Sequence, residues 1–292
     1  MLTGKVLLRF RKKKMSKVSY LISTYNSAAY LDRCIRDLTM QDDQDFEIII
    51  INPNSPDSDD RIAKQWVKRD DRISYHFIKE RETYGRSWLR AWSMASTPYV
   101  ANANTDDRRH HAYGWRLREA LENSPEAVFA YPGLVVVNEN DQVVGGGCRP
   151  PFEREVFERE CHAGSSVMWK TDLLNEIGWA EAWHRAGIYT TAFDYWLWLK
   201  FMSLGYDGVA VSEPLVYYMQ RQDSIEHVAG RRSTWQSLVS IAEFFPDALR
   251  RIGGHALNFK DWPIIPEQDV WCENTKDGSP WTGTQSVNIL EL

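Results

Sequence analysis

Four short apolar runs recur along the first hundred residues: KVSYLIS (17–23), FEIIII (46–51), RISYHF (72–77) and PYVANAN (98–104). An amphipathic segment separates each run from the next, which is the pattern of strands and helices packed into an α/β sheet. FEIIII is almost unbroken in its hydrophobicity, as expected of a parallel strand covered on both faces, and it ends in the turn-forming NPNSPDSDD. After TYNS, residues Leu31, Cys34, Ile35 and Leu38 fall at helical spacing, with Asn26 or Ser27 available as the cap. Further helices are expected over 59–68 and around Trp88, Leu89, Trp92 and Ala95.

The rhythm changes after residue 110. AVFAYPGLVVV followed by ENDQVVGGG reads as a hairpin-like β region, Thr171 can cap a short helix, and FDYWLWLKFMSLGY reads as an aromatic helix ending at Gly205. VAVSEPLVYYM, the turn RQDSIEH and a last amphipathic helix from about Ser233 to Phe245 follow, and no internal repeat is visible. The expected organisation is a basic tail over 1–16, one α/β domain over 17–227 and a C-terminal helix with a surface tail over 228–292. Within the domain, 17–110 and 111–227 form two halves of one fold.

A chain of 292 residues, 43% of them hydrophobic, can bury a sizeable core. Its net charge of −5 argues against general nucleic-acid binding, which needs a basic face. Cys34, Cys148, Cys161 and Cys272 form no C-x-x-C pair, so neither a thiolate zinc site nor a disulfide framework is expected, and the chain reads as cytoplasmic. No window offers the roughly 18 consecutive apolar residues of a membrane span. The opening MLTGKVLLRFRKKKM is a poor signal peptide. It reads as a frayed basic tail, as an upstream start preceding Met15, or as a basic amphipathic segment resting on the inner, anionic face of a membrane.

PYVANAN runs into Asp106 and Asp107, then Arg108 and Arg109. Carboxylates just beyond the end of a parallel strand stand where open α/β sheets bind ligands. Mg²⁺ or Mn²⁺ is held by one or two carboxylates plus substrate phosphates, and Asp106 and Asp107 are the candidate ligands. The arginines can neutralise phosphate oxygens or form a solvated turn, and the carboxylates can instead cap the next helix. His110 and His111 are poor chelators, because adjacent side chains point in different directions.

Taken together these motifs resemble glycosyltransferase family 2, whose members have the GT-A fold: a mixed, mainly parallel sheet flanked by helices. The resemblance runs from about Val18 to Glu226. VSYLISTYNSAAYLDRCIRDL is similar to that family's opening strand, TYN turn and first helix, and FEIIIINPNSPDSD to its second strand and nucleoside-binding turn. PYVANANTDDR stands at the D-x-D position, GSSVMWKTDLLNEIGW on the acceptor side, and FDYWLWLKFMSLGY resembles the E-D-Y-x-x-W-L-R helix that carries the catalytic base.

The resemblance implies an inverting transfer of sugar from a nucleoside-diphosphate donor to a glycan, lipid-linked or other hydroxyl acceptor, aided by Mg²⁺ or Mn²⁺, with Asp194 as general base. It places Thr24, Tyr25, Asn52, Asn54, Arg86, Asn104, Thr105 and Asp106 around the nucleotide. Asp106 and Asp107 would serve the metal, and His162, Trp169 and Arg221 the acceptor or diphosphate. Pro53, Asn104 and Phe193 depart from the family pattern, and Arg221 stands where many relatives carry histidine. Two other readings compete. A sugar-phosphate nucleotidyltransferase would need a glycine-rich phosphate loop that STYNSAAY lacks. A degenerate GT-A scaffold would bind without turnover.

Overall fold

The computed structural model describes residues 16–158, 164, 166–222, 224, 231–245 and 247. The basic segment over 1–15, the tail beyond 247 and His162 lie outside the described residues. In the first half β1 (Val18–Ser23), α1 (Ala28–Thr39), β2 (Phe46–Pro53), α2 (Asp59–Val67), β3 (Ile73–Ile78), α3 (Tyr84–Met94) and β4 (Tyr99–Asn102) alternate as the sequence predicts. There follow β5 (Arg108–Arg109), α4 (Tyr113–Asn123), β6 (Ala127–Val137), β7 (Val143–Gly147), α5 (Arg154–Phe157) and β8 (Met168–Lys170). The last elements are α6 (Leu173–Ile177), α7 (Trp179–Ile188), α8 (Phe193–Ser203), β9 (Asp207–Met219) and α9 (Arg231–Phe244).

One sheet crosses both halves in the order β3-β2-β1-β4-β8-β6-β9-β5, with β7 paired to β6. Strands β1 to β4 run parallel to one another. β8 is antiparallel to both β4 and β6, and β9 is parallel to β6. Two reversals cancel, so β6 and β9 point the same way as β1 to β4. The segments leaving β1, β2, β3, β4 and β9 therefore all emerge along one end of the sheet, where a crevice can form.

The alternation of β2 fixes both layers. Ile48 and Ile50 face a cluster with Leu31, Ile35, Ile62 and Leu117, which belong to α1, α2 and α4. Ile49 and Ile51 face the opposite cluster, which holds Leu89, Trp92, Trp169 and the inner residues of α6 to α9. Helix α8 has eight of its 11 residues buried because it is covered on both sides: Trp169 of the sheet packs on Phe201, and Phe244 of α9 packs on Trp196. That is why its sequence is apolar all round rather than along one stripe. Among the described residues no helix is long and apolar enough to cross a membrane.

Candidate active site at the carboxyl ends of the strands

The turns after β1 and β2 are fastened into one unit. Asp57 accepts the Ala28 N–H at 2.9 Å through one carboxylate oxygen and the Ser55 hydroxyl at 2.9 Å through the other. Asp59 is buried, accepts the Ser27 N–H at 3.3 Å, and has its carboxyl pushed up chiefly by burial. Asn26 (φ 51°) and Asn54 (φ 58°) take the left-handed conformation that asparagine tolerates better than most residues.

Tyr25 and Asn54 lie on the accessible side of this unit, and the guanidinium of Arg81 stands 4.2 Å from the centre of the Tyr25 ring. Asn52 is turned inward. Its amide donates to the Tyr75 hydroxyl at 3.0 Å, its carbonyl accepts the Ser55 N–H at 2.7 Å, and it is fully buried. Thr24 is likewise fully buried. The expectation that Thr24 and Asn52 touch a nucleotide is corrected accordingly: both shape the floor beneath the turn.

The loop from Ala103 to Asp107 is held from below by Arg109. This buried guanidinium donates from Nη1 to the carbonyls of Asn104 at 3.2 Å and Asp107 at 3.1 Å. Thr105 is buried and donates to the Ser27 hydroxyl at 3.1 Å, which joins the loop to the start of α1 and replaces the nucleotide contact expected of it. Arg108 forms a fork on Asp37 at 2.6 and 3.0 Å. The two arginines therefore brace the loop rather than face phosphate. Asn104 contributes its carbonyl, which also accepts the Cys34 thiol at 3.5 Å.

Asp106 and Asp107 diverge. Asp107 is 1% exposed, and its Oδ1 accepts the Met219 N–H at 3.1 Å. Burial, with the charge of Asp106 added, pushes its carboxyl up to about 7. Asp106 is half-buried and pairs with Nε of Arg221 at 3.2 Å. The Arg221 guanidinium lies 4.7 Å from the centre of the Tyr30 ring, and Arg33 donates to the Asp106 carbonyl at 3.5 Å. Tyr30 and Arg33 sit three residues apart on α1 and thus share a face.

The expected Mg²⁺ or Mn²⁺ set does not fit this arrangement. Asp107 is sealed beneath the loop, position 104 offers an amide, and Asp106 already faces a guanidinium. Among the described residues no three His, Cys, Asp or Glu side chains group closely enough to hold a metal.

On the third side, Tyr84 at the start of α3 accepts the Phe193 N–H at 2.9 Å. A Cβ on Gly85 would lie 2.7 Å from the Phe193 ring, so glycine permits the close approach of α3 to α8. Asp194 is half-buried in the first turn of α8, and its Oδ1 accepts the Tyr195 N–H at 2.9 Å. Since α3 follows β3, this junction lies at the same end of the sheet as Tyr25 and Asp106.

Arg86 turns instead to α7, over the Trp183 ring at 5.2 Å and toward the Trp183 carbonyl at 3.4 Å, and burial lowers its proton affinity. Trp169 is corrected outright as an acceptor surface: it is 0% exposed in β8, between Trp92, Phe129 and Phe201. Arg81, Arg33 and Tyr30 join the site without having been expected there.

The raised Asp107 carboxyl gives a stability prediction. An acid whose folded pKa exceeds its unfolded value binds more protons when folded, so its contribution to stability falls as pH rises from about 4 to 7. Asp107→Asn keeps the carbonyl oxygen that accepts from Met219 and removes the buried charge. It is expected to melt above wild type at about pH 8, with the difference vanishing near pH 4. Scanning calorimetry across that range checks this, and a variant that melts lower at the higher pH refutes it.

Comparison with known proteins agrees with this architecture. Residues 19–156 match the family described as glycosyl transferase family 2. An uncharacterized glycosyltransferase of Methanocaldococcus jannaschii is 25% identical over 69% of this chain and 70% of its own length. A GalNAc(5)-diNAcBac-PP-undecaprenol beta-1,3-glucosyltransferase of Campylobacter jejuni is 30% identical, over 32% of this chain and 30% of that protein. Among solved structures, S. aureus TarS 1-349 in complex with UDP superposes with a TM-score of 0.57 at 16% identity, covering 83% of this chain and 75% of TarS 1-349. The same TarS fragment is also known in complex with UDP-GlcNAc. With the sheet, the strand-end crevice and these likenesses in agreement, the chain carries a glycosyltransferase family 2 domain over residues 19–156 and is a glycosyltransferase of GT-A fold.

Proposed function

We propose that this enzyme transfers a sugar from a uridine-diphosphate donor to a hydroxyl of a lipid-linked glycan, with inversion at the anomeric carbon. The observation that carries this is the convergence, at one end of the sheet, of an accessible tyrosine, an arginine-bearing carboxylate loop and a carboxylate at the start of a helix. The Tyr25 ring and the Asn54 turn receive the nucleoside, the ring offering a face for the base. The diphosphate lies against the Asp106 loop, where Arg221 and Arg33 meet its charge. The UDP complexes of TarS support this choice of donor.

Asp194 is the general base. As the acceptor oxygen bonds to the anomeric carbon, its proton passes to the Asp194 carboxylate. The bond from that carbon to the diphosphate oxygen breaks, and the nucleoside diphosphate leaves with the electron pair. The undecaprenol-linked substrate in the name of the C. jejuni relative supports a lipid-linked acceptor. Such an acceptor also gives the basic residues near the N-terminus a use, against an anionic inner membrane face.

The test offers α-configured UDP-sugars and undecaprenyl-diphosphate glycans to the purified enzyme and determines the anomeric configuration of the product by NMR. A β-linked product is expected. An α-linked product rejects inversion, and absence of transfer from every UDP-sugar rejects the donor.

A further inference from the structure

We infer that donor binding by this enzyme needs no divalent cation, and that Arg221 supplies the charge a metal would bring. This rests on the donor site proposed above and deepens it. A hard dication seeks carboxylate charge that nothing else has neutralised. Here, among the described residues, each accessible carboxylate on the phosphate side already faces a guanidinium: Asp106 faces Arg221 at 3.2 Å, and Asp141 faces Arg33 at 3.2 Å. A third carboxylate, Asp107, is 1% exposed, is engaged by the Met219 N–H and lies below the loop. Position 104, two residues before Asp106, offers an amide in place of a second charged oxygen. A divalent ion arriving at this loop meets an ion pair rather than a pair of free carboxylates.

Arg221 is also built to stay where it is. The Tyr30 ring supports its guanidinium at 4.7 Å, and Arg221 follows β9 by only two residues, on a strand anchored through Met219 to Asp107. Its side chain is 16% exposed and that of Asp106 20%, so the pair is screened by solvent less than a surface ion pair. Asp106 then acts as a positioning residue that holds the guanidinium by Nε. A guanidinium carries its N–H donors in a planar fork, and that fork suits phosphate oxygens. Because Arg33 donates to the Asp106 carbonyl, a second cation flanks the same point. Two fixed arginines thereby do the charge work on a leaving diphosphate that other enzymes assign to a dication.

The experiment is calorimetric titration of the full chain with UDP, GDP, dTDP and CDP, each in EDTA and in Mn²⁺, on wild type, Arg221→Lys and Arg221→Gln. Thermal melting confirms that each variant is folded. Wild type is expected to bind UDP with the same Kd in EDTA and in Mn²⁺. Arg221→Gln should weaken that binding about 10- to 100-fold and Arg221→Lys less, because lysine keeps the charge but loses the fork. Binding that appears only with Mn²⁺ overturns the inference while leaving the donor site intact. Arg221→Gln binding as tightly as wild type in EDTA overturns it too. If no nucleotide binds under any condition, the donor reading falls and this inference falls with it.

Discussion

Asp194→Asn is expected to lower kcat by about 10²- to 10⁴-fold while leaving UDP binding and the melting temperature near wild type. The substitution is nearly isosteric, and the asparagine carbonyl can still accept the Tyr195 N–H that Asp194 Oδ1 accepts at 2.9 Å. The start of α8 is held independently by the bond from the Phe193 N–H to Tyr84 and by Phe193 packed against Gly85. What the amide cannot do is take a proton from the acceptor hydroxyl. The loss therefore belongs in kcat and not in donor Kd, and the remaining rate should rise with pH as hydroxide takes over the deprotonation. Steady-state UDP release in the presence of acceptor, set beside UDP calorimetry, measures both quantities. A variant that turns over at the wild-type rate removes Asp194 from the chemistry, and one that loses donor affinity along with rate makes it a binding residue.

The positions in the sheet were legible before the roles of the side chains. Apolar continuity marks β1, β2 and β4, because a strand covered on both faces admits little but apolar residues, and alternation marks the edge strand β3. From the strand ends follows the edge of the crevice and with it Asp106, whereas Tyr25, Asn54, Asp194 and Arg221 were singled out by the family resemblance. Burial was not legible. Thr24, Asn52, Thr105 and Asp107 are polar residues at strand ends and in turns, and nothing local distinguishes one that faces solvent from one that ties two turns together. The partners that decide it, Tyr75, Ser27 and Met219, lie far away in sequence. Arg108 and Arg109 deceived for the same reason, since their partners Asp37 and the loop carbonyls exist only once α1 packs beneath β4.

Arg33 and Tyr30 had a signal in their spacing on α1, but that face takes on meaning only when the end of β9 lands against it. Helices α4 and α7 also stand outside the expected pattern. α7 begins at Gly178 with φ 85° and leaves Trp179 43% exposed, so its apolar residues mark no single inward stripe.

Trp169 carries the other large effect. Trp169→Ala is expected to cost about 3–5 kcal/mol, because truncating a fully buried indole removes its contacts and leaves a cavity that neighbours fill only in part. Those neighbours are Trp92 at 6.0 Å, Phe129 at 5.3 Å and Phe201 at 5.5 Å between ring centres, and they belong to α3, β6 and α8. Three elements thus lose a shared support, and one of them is α8, which carries Asp194, the proposed base. The melting temperature should fall on the order of 10 °C, and activity should follow the folded fraction.

Trp169→Phe separates packing from recognition. It retains an aromatic ring in the same slot and gives up only part of the volume, so it should lose far less stability and keep the acceptor KM of wild type. An acceptor KM that rises in Trp169→Phe without loss of melting temperature would return this tryptophan to the acceptor site. An unchanged KM leaves it as the pillar between the sheet and the helix that carries Asp194.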